Sequence, residues 1–416
     1  MSQSRLPVDE MIKSAGSFAS AISLLGFQHL GGTLAAKRRN GNQSDQTAAS
    51  WVCGLPFVDR FTPRRVVREI MIAMWHSAEL SKQISSGSNT LLAEEFQNKL
   101  EAFCLFEYID YALSLDTAGP LSLSQLVARA ARLNSYCSVW ATEGVGHYFA
   151  DAYLKDHSDP SALMSRPDSL GVPGSSLVPL NAGLGLALAE WLLGVGCGRR
   201  MDRHSLTTFV ELCLCNCSPG YEGVGFEALG LVARSLYPHL MSAIDELLAR
   251  HYPDLLEYFW HGAGRAVYFS LTQLFPFRSE PWHGLEMCLR ESPHALGKRN
   301  AVAGFAWALA LVNIRHPEIV AAFLDRRATQ VPNPEALVNG LCSALLVWRS
   351  AQPGQRHVVD FVGYRRNLSD APQSRLWARY VRQPWIQTLR ERSWDELQMG
   401  LLFRYQSLVG RGGPRP

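Results

Sequence analysis

Four Gly-x-Gly strings recur at a nearly constant interval through the middle of the 416-residue chain, and this repeat limits the possible folds more than any other feature. The strings are EGVGHYFADAYL, NAGLGLALAEWL, EGVGFEALGLVA and HGAGRAVYFSLT, and their first glycines are Gly144, Gly183, Gly223 and Gly262. The intervals are 39, 40 and 39 residues, which is the length of two packed helices with their connections. The repeat therefore predicts tandem helical hairpins of about 40 residues, arranged as an α/α-toroid or an α-solenoid.

The remainder of the chain has the pattern of α-helices as well. Apolar residues recur at intervals of three and four from residue 62 onward, whereas the alternation that a β-strand requires is nearly absent. Weaker copies of the glycine string occur at Gly304 and Gly340, and the second helices of three hairpins are predicted at residues 205–217, 239–251 and 317–327. Hydrophobic residues make up 47% of the chain and charged residues 19%, which is enough apolar material for a large core. We expect an all-α fold.

The composition divides the chain into three parts. Residues 1–50 read as an N-terminal helix and polar loop, residues 51–351 as the helical repeat domain, and residues 352–416 as a C-terminal helical extension with interleaved Arg and Trp. Residues 158–177 depart from the repeat because they are rich in Pro, Gly and Ser. Loops of this length in compact domains are often lids or binding loops, so this segment is a candidate for that role.

The glycine pairs themselves need an explanation, because glycine inside a helix costs about 1 kcal/mol relative to alanine. One interpretation is close packing, since a helix without Cβ atoms lets a neighbouring helix approach tightly. The other is that the pairs open helix N-termini around a cavity, where free amide groups and the helix dipole favour an anion. The first interpretation is favoured, and the two are compatible.

Polar residues beside the glycines are the candidates for chemistry. Glu143 and Glu222 precede two of the pairs, His261 precedes a third and Arg265 follows it. If the repeats close into a ring, these four side chains converge, and together they could act as general acid, base or anion clamp. The alternative is that both glutamates are first-turn acids favoured by the helix dipole. The candidates for substrate binding are Tyr221, Phe226, Trp260, His147, Trp282 and His283.

Common catalytic and cofactor motifs are missing from the sequence. It contains no P-loop, no strand-associated dinucleotide fingerprint, no H-E-x-x-H and no G-x-S-x-G in its expected context. Cys213, Cys215 and Cys217 form C-x-C-x-C, but no second Cys or His pair stands at a zinc-like spacing, so apolar packing is the favoured interpretation. We therefore predict no cofactor and no metal.

Charge, cysteine usage and hydropathy bear on partners and location. Forty Lys and Arg against 37 Asp and Glu leave a net charge of +3, spread along the chain, so nucleic acid is not expected as a partner. Nine cysteines, several of them within apolar helical segments, fit a reducing cytoplasm best. The apolar runs are interrupted by polar residues, so a membrane span is not expected.

Five ordered strings, FCLFEYIDYAL, EGVGHYFADAYL, LNAGLGLALAEWL, YEGVGFEALG and WHGAGRAVYF, resemble the blocks of a bacterial family of unknown function that is associated with enediyne polyketide biosynthesis. The resemblance spans about residues 104–312. The positions that match the family pattern are Glu222, Gly223, Gly225, Phe226, Gly262, Gly264, Arg265 and Phe269. His261 departs from it, because the family more often has an amide there, and this weakens the case for a shared reaction. The resemblance implies a role on a long conjugated polyene chain.

Two functions stay open from the sequence. The first is a biosynthetic protein that encloses an apolar, polyene-like or polyketide-derived molecule and cyclises or rearranges it by acid-base chemistry, with Glu222 as acid or base, alone or beside biosynthetic partner proteins. The second is a non-catalytic α-solenoid that holds partner proteins on a concave face. A closed ring should enclose an apolar cavity that contains the four polar side chains, whereas an open superhelix should bury the glycine pairs and leave no central pocket.

Overall fold

The part of the chain that the structure describes consists mainly of α-helices. The computed structural model describes residues 88–107, 109, 113, 121–156, 163, 171–195, 201–270, 282–365, 371–391 and 398–405. No strand occurs in these ranges, which confirms the predicted all-α class, and the predicted helix and loop of residues 1–50 lie outside them. The helices are α1 (Ser88–Glu107), α2 (Leu123–Ala130), α3 (Ser135–Asp156), α4 (Leu177–Val195), α5 (Arg203–Asn216), α6 (Glu222–Leu236), α7 (Met241–His251), α8 (Leu256–Phe269), α9 (Gly284–Glu291), α10 (Ala295–Val312), α11 (Pro317–Arg327), α12 (Pro334–Ala351), α13 (His357–Gly363), α14 (Ala371–Trp377) and α15 (Gln383–Glu391).

Helices α5, α7 and α11 lie at the segments that were predicted to be helical, residues 205–217, 239–251 and 317–327. Helix α5 begins after Asp202, whose carboxylate accepts the backbone N–H of Ser205 at 2.8 Å and so satisfies one free donor of the first turn. Helix α11 begins at Pro317, where the missing N–H has no cost because first-turn N–H groups lack a helical acceptor. Local interactions in the first turn therefore explain where α5 and α11 begin.

Six central helices, α3, α4, α6, α8, α10 and α12, pack on one another in chain order. The first and last of them also meet. The ring of Tyr136, at the start of α3, stacks on Trp348 near the end of α12 with centroids 5.7 Å apart. The Tyr136 hydroxyl donates to the carbonyl of Val312, at the end of α10, at 2.9 Å. Contacts between α4 and α12 add to this connection between the two ends of the row.

The glycines lie where these central helices cross. A Cβ atom on Gly183 would come within 1.8 Å of the Glu143 carbonyl oxygen, and one on Gly262 within 2.0 Å of the Glu227 carbonyl oxygen. Real Cβ atoms do not approach a backbone oxygen so closely, so the packing requires glycine. Both residues lie in helix interiors, α4 and α8, and not at helix N-termini. Close packing is therefore confirmed for these pairs, and the helix N-terminus interpretation is wrong for them.

The C-x-C-x-C string also contributes to packing. A Cβ atom on Gly225 would lie 2.6 Å from Cys217 Sγ and 3.3 Å from Cys213 Sγ, so these two buried thiols fill the space that the glycine leaves. Cys215, between them, is exposed. Burial raises the pKa of the Cys213 thiol, which keeps it protonated and apolar.

Residues after 351 pack against the central helices. Helix α14 contacts α11, and a π-helical turn, Ala378–Arg382, contacts α12. A 3₁₀ segment, Met399–Phe403, packs on α6, α8 and α12, and its Gly400 donates a backbone hydrogen bond to Gly220 at 3.0 Å. We call residues 398–405 the C-terminal segment.

Among the described residues, one helical segment, Gly174–Gly194, contains an 18-residue window that is long and apolar enough by length and composition to cross a membrane. Within the protein, 78% of this window is buried, as expected for a core helix, which meets the same two criteria. The helix packs between α3 and α6, and this buried position suits a segment with so few charges.

Candidate functional site

Four ionisable side chains form a buried cluster where α3, α6 and α8 meet. The guanidinium of Arg265 donates to Glu143 Oε1 through Nη2 at 2.5 Å and to Glu227 Oε2 through Nη1 at 3.1 Å. The second oxygen of Glu227 accepts a hydrogen bond from His261 Nδ1 at 2.9 Å. Arg265 thus links two carboxylates, and one of these carboxylates orients the imidazole.

The cluster brings together three of the four residues that the sequence singles out, Glu143, His261 and Arg265. His261 and Arg265 are one helical turn apart on α8 and therefore face the same side. Glu143 reaches them from α3, across the glycine contacts that hold the central helices close together. None of the cluster's side chains is more than 6% exposed.

Charge pairing compensates for this burial. Burial raises the pKa of Glu227, but the charge of Arg265 and the hydrogen bond from His261 outweigh it, so the pKa of Glu227 is lowered overall. Burial likewise disfavours the charged form of Arg265, yet the two carboxylates raise its pKa above the ordinary value. Both partners stay ionised, because each carries the charge that the other needs.

Aromatic side chains cover the cluster on one side. The ring of Trp307 lies 4.8 Å from the Arg265 guanidinium carbon and 6.1 Å from the His261 ring, and Phe403 lies 6.3 Å from the His261 ring. Three buried nitrogens there have no hydrogen-bond partner among the described residues: His261 Nε2, Arg265 Nε and Trp307 Nε1. Buried polar atoms are usually paired, so an unpaired group of this kind needs an explanation.

The hydrogen bond to Glu227 fixes the tautomer of His261. An ionised Glu227 can only accept a hydrogen bond, so Nδ1 of His261 carries the proton of this bond, and Nε2 has no hydrogen-bond partner among the described residues. A carboxylate that holds the tautomer and stabilises the imidazolium is the arrangement that prepares histidine for proton transfer.

Glu222 does not join this cluster, and the expected convergence of all four residues is wrong for it. Both of its carboxylate oxygens accept the backbone N–H of Gly220, at 3.0 and 3.1 Å, in the turn before α6. Glu222 is the first residue of α6, so the alternative interpretation, a first-turn acid favoured by the helix dipole, describes it. The acid on this helix that does enter the cluster is Glu227, which lies five residues further on.

Glu227, Trp307 and Phe403 were not predicted as site residues from the sequence. Glu227 occurs in EGVGFEALGLVA, where it is the one charged residue in the apolar and glycine-rich stretch that follows Glu222, and this isolation was the available signal. A lone acid on the buried side of a helix is almost always paired. Trp307 and Phe403 carry no comparable signal, because an aromatic residue in a helix is usually a core residue.

Two of the predicted substrate-binding residues, Trp260 and Trp282, are buried and fully engaged in the core. Trp260 Nε1 donates to Asp245 Oδ1 at 2.6 Å, and Trp282 Nε1 donates to Glu95 Oε2 at 2.9 Å. Trp282 has a φ of 59°, which a bulky residue rarely adopts. Both indoles therefore contact protein groups in this structure.

Three further candidates are distributed over the surface of the helices. His147 Nε2 lies 3.0 Å from Glu190 Oε2, and His283 Nδ1 lies 2.9 Å from Glu286 Oε2. Phe226 packs edge-on against the ring of Tyr258. These contacts lie outside the buried cluster, so the structure does not bring the three side chains together there.

The last candidate, Tyr221, lines an open cleft of about 580 Å³. Its walls include Gly174 and Ser175 from the Pro- and Gly-rich loop, Arg349 at the end of α12, and Met399. Met399 is the first residue of the 3₁₀ turn whose last residue, Phe403, packs on His261. The cleft and the cluster are thus both in contact with this one turn.

Comparison of the chain with protein-family models, with curated proteins and with solved structures found no match in any of the three.

Proposed function

We propose that the protein binds a long apolar, polyene-like or polyketide-derived molecule and cyclises or rearranges it by proton transfer at His261. The supporting observation is the pairing of His261 Nδ1 with the ionised Glu227, which leaves Nε2 as a proton donor or acceptor in an aromatic, water-poor environment. No cofactor is required for such a reaction.

In this proposal the other charged residues act through the histidine. Glu227 holds the tautomer and stabilises the imidazolium, Arg265 holds Glu227 in place, and Glu143 balances the charge of Arg265. Glu227, Arg265 and Glu143 are therefore positioning residues, and Glu222 has no part in the proton transfer. Trp307 contributes a polarisable face against which a conjugated chain or a developing cation would be stabilised.

The cleft beside Met399 is the proposed approach for the substrate. Its volume of about 580 Å³ lies within the usual range for small-molecule sites. Phe403 packs on the His261 ring and belongs to the same 3₁₀ turn as Met399 of the cleft, so in this proposal the C-terminal segment moves to admit the substrate. Loop closure over a reactive centre is a common way of excluding water.

The proposal includes a closed arrangement of the central helices and a substrate class. The packing of six central helices in chain order, together with the contact between Tyr136 and Trp348, supports a closed α/α-toroid-like arrangement whose axis is filled by the cluster. The resemblance to the family associated with enediyne biosynthesis supports a conjugated polyene as the substrate class.

The test uses linear polyenes extracted from cells that express an iterative polyketide synthase. We expect the purified protein to change the absorbance spectrum of this extract, and His261→Gln to lower the rate by a factor of about 10²–10⁴, the usual contribution of a general acid or base. Glu222→Gln is the matched control and should act like the parent protein. An unchanged spectrum with the parent protein, or full activity of His261→Gln, would overturn the proposal.

The second candidate function is the partner-binding scaffold. It is favoured by the burial of the glycine pairs between helices and by the side chains that fill the centre of the helix row. Its test is a pull-down with the full chain, followed by size-exclusion chromatography of the purified pair. A stoichiometric complex that forms equally well with His261→Gln would favour the scaffold over the enzyme.

A further inference from the structure

A serine and a histidine form a close pair near the surface, at the N-terminal end of α3. Ser135 Oγ lies 2.7 Å from His357 Nε2, within the range of a nucleophile that is hydrogen-bonded to its general base. Ser135 is the first residue of α3 and His357 is the first residue of α13, so two helix starts bring the side chains together. Both residues are only partly buried, which leaves them open to a small molecule.

The start of α3 also offers hydrogen-bond donors for an oxyanion. The N–H groups of Ser135 and Tyr136 belong to the first turn and have no helical acceptor, whereas the N–H of Cys137 is capped by Asn134 Oδ1 at 2.9 Å. A backbone N–H beside the nucleophile is a frequent component of an oxyanion hole. The positive end of the helix dipole adds to the stabilisation of negative charge there.

The surroundings of His357 favour the neutral imidazole that a general base requires. Burial lowers the pKa of His357 and the charge of Arg315 lowers it further, while Asp360, one turn along α13, opposes both. When the neutral imidazole carries its proton on Nδ1, Nε2 accepts the hydroxyl proton of Ser135, which is the arrangement that a general base requires. The ring of Trp348 packs against the imidazole with centroids 5.7 Å apart and holds its orientation.

We propose that Ser135 and His357 are the nucleophile and the general base of a second site, which hydrolyses small activated acyl esters. The Ser135 hydroxyl gives its proton to His357 Nε2 while Oγ bonds to the acyl carbon. The ester C–O bond then breaks, and the alcohol leaves with the proton from His357. Water, deprotonated by His357, attacks the acyl-serine and releases the carboxylic acid and free Ser135.

This site is independent of the buried cluster. Ser135 and Glu143 are both on α3, but they are separated by two turns, and His357 is on a helix that provides no residue of the cluster. A structural role for the hydrogen bond, which ties α13 to α3, predicts no covalent chemistry at Ser135. The two roles can therefore be separated by the formation of an adduct.

The test combines p-nitrophenyl acetate hydrolysis with labelling by a fluorophosphonate, which reacts with activated serines. We expect an acetyl or phosphonyl adduct on Ser135 by peptide mass spectrometry. Ser135→Ala should abolish the adduct, and His357→Gln should slow its formation by a factor of about 10²–10⁴. The rate should rise with pH as His357 loses its proton.

Ser124→Ala is the matched control. Ser124 lies in the first turn of α2 and bonds to Ser122 at 3.0 Å, not to a histidine, so its removal should leave labelling unchanged. Thermal unfolding followed by circular dichroism verifies that each variant is folded. The proposal is overturned if the parent protein forms no adduct on Ser135, or if folded His357→Gln reacts at the parental rate.

Discussion

Arg265 and Glu143 are 122 positions apart in the chain, yet the guanidinium Nη2 of one lies 2.5 Å from the carboxylate Oε1 of the other. The same guanidinium contacts Glu227 at 3.1 Å, so one cation serves two buried acids. Such a pair is costly to bury and even more costly to break, because the remaining charge has neither water nor a partner.

Replacing Arg265 by methionine should therefore destabilise the protein strongly. We expect the free energy of unfolding in urea to fall by about 3–5 kcal/mol, because two carboxylates stay buried without their cation. Adding Glu143→Gln should restore part of the loss. The matched control is Arg234→Met, which breaks a more exposed bidentate pair with Glu291, and its expected cost is below about 1 kcal/mol. Equal losses in the two variants would contradict this interpretation of the cluster.

The stability of the protein should depend on Glu227 at acidic pH. The pKa of Glu227 is lower in the folded protein than its ordinary value of 4.5, since Arg265 and His261 outweigh the effect of burial. A lowered carboxyl pKa contributes stability that is fully present above the unfolded value and is lost as the pH falls through the folded value. The free energy of unfolding can be measured by urea titration at a series of pH values from about pH 6 downward. As the pH falls, it should decrease less for Glu227→Gln than for the parent protein.

The control for this pH dependence is Glu222→Gln, because Glu222 caps a turn outside the cluster. Its acid profile should be parallel to that of the parent protein. If Glu227→Gln showed that same parallel profile, the charge of Glu227 would not contribute to stability in this range.

A methyl group on Gly183 should force α3 and α4 apart. The added Cβ would lie 1.8 Å from the Glu143 carbonyl oxygen, and a backbone atom cannot move aside as a flexible side chain can. We expect Gly183→Ala to cost about 1–3 kcal/mol or more in chemical denaturation. Gly363→Ala is the control, since nothing lies within 4 Å of its Cβ position, and it should be neutral or stabilising by up to about 1 kcal/mol. A neutral Gly183→Ala would exclude the close-packing explanation.

Removing the ring of Phe403 should open the cluster to reagents. Phe403 packs on both His261 and Trp307, and it is almost fully buried. We expect Phe403→Ala to make His261 reactive towards diethyl pyrocarbonate, whereas His261 of the parent protein should be protected. Leu402→Ala, in the same buried turn, provides the control for general loosening of the segment. Peptide mass spectrometry measures the modification of His261 in both variants. Equal modification in Phe403→Ala and Leu402→Ala would argue against a specific role of Phe403 in covering His261.

The approach of the helices was predictable from local pattern, whereas the membership of the cluster was not. Gly183 and Gly262 recur at a fixed interval because each crossing of two helices needs the same missing side chain, and this requirement repeats with every unit. Glu222 and Glu227 are on the same helix and both are acids, so sequence alone could not decide which of them turns inward. The choice depends on where α8 lies, since Arg265 reaches only the acid that faces it.

By itself, the sequence determined the helical class, the positions of several helix ends and the need for close crossings at the glycines. These properties depend on interactions between residues a few positions apart, or on a motif that repeats with the chain. Only the tertiary structure decided that Glu143, Glu227, His261 and Arg265 share one site and that Phe403 covers it. The physical reason is that pairing of buried charges depends on distances of a few ångströms between helices, and residues more than 100 positions apart acquire such distances only when the core packs.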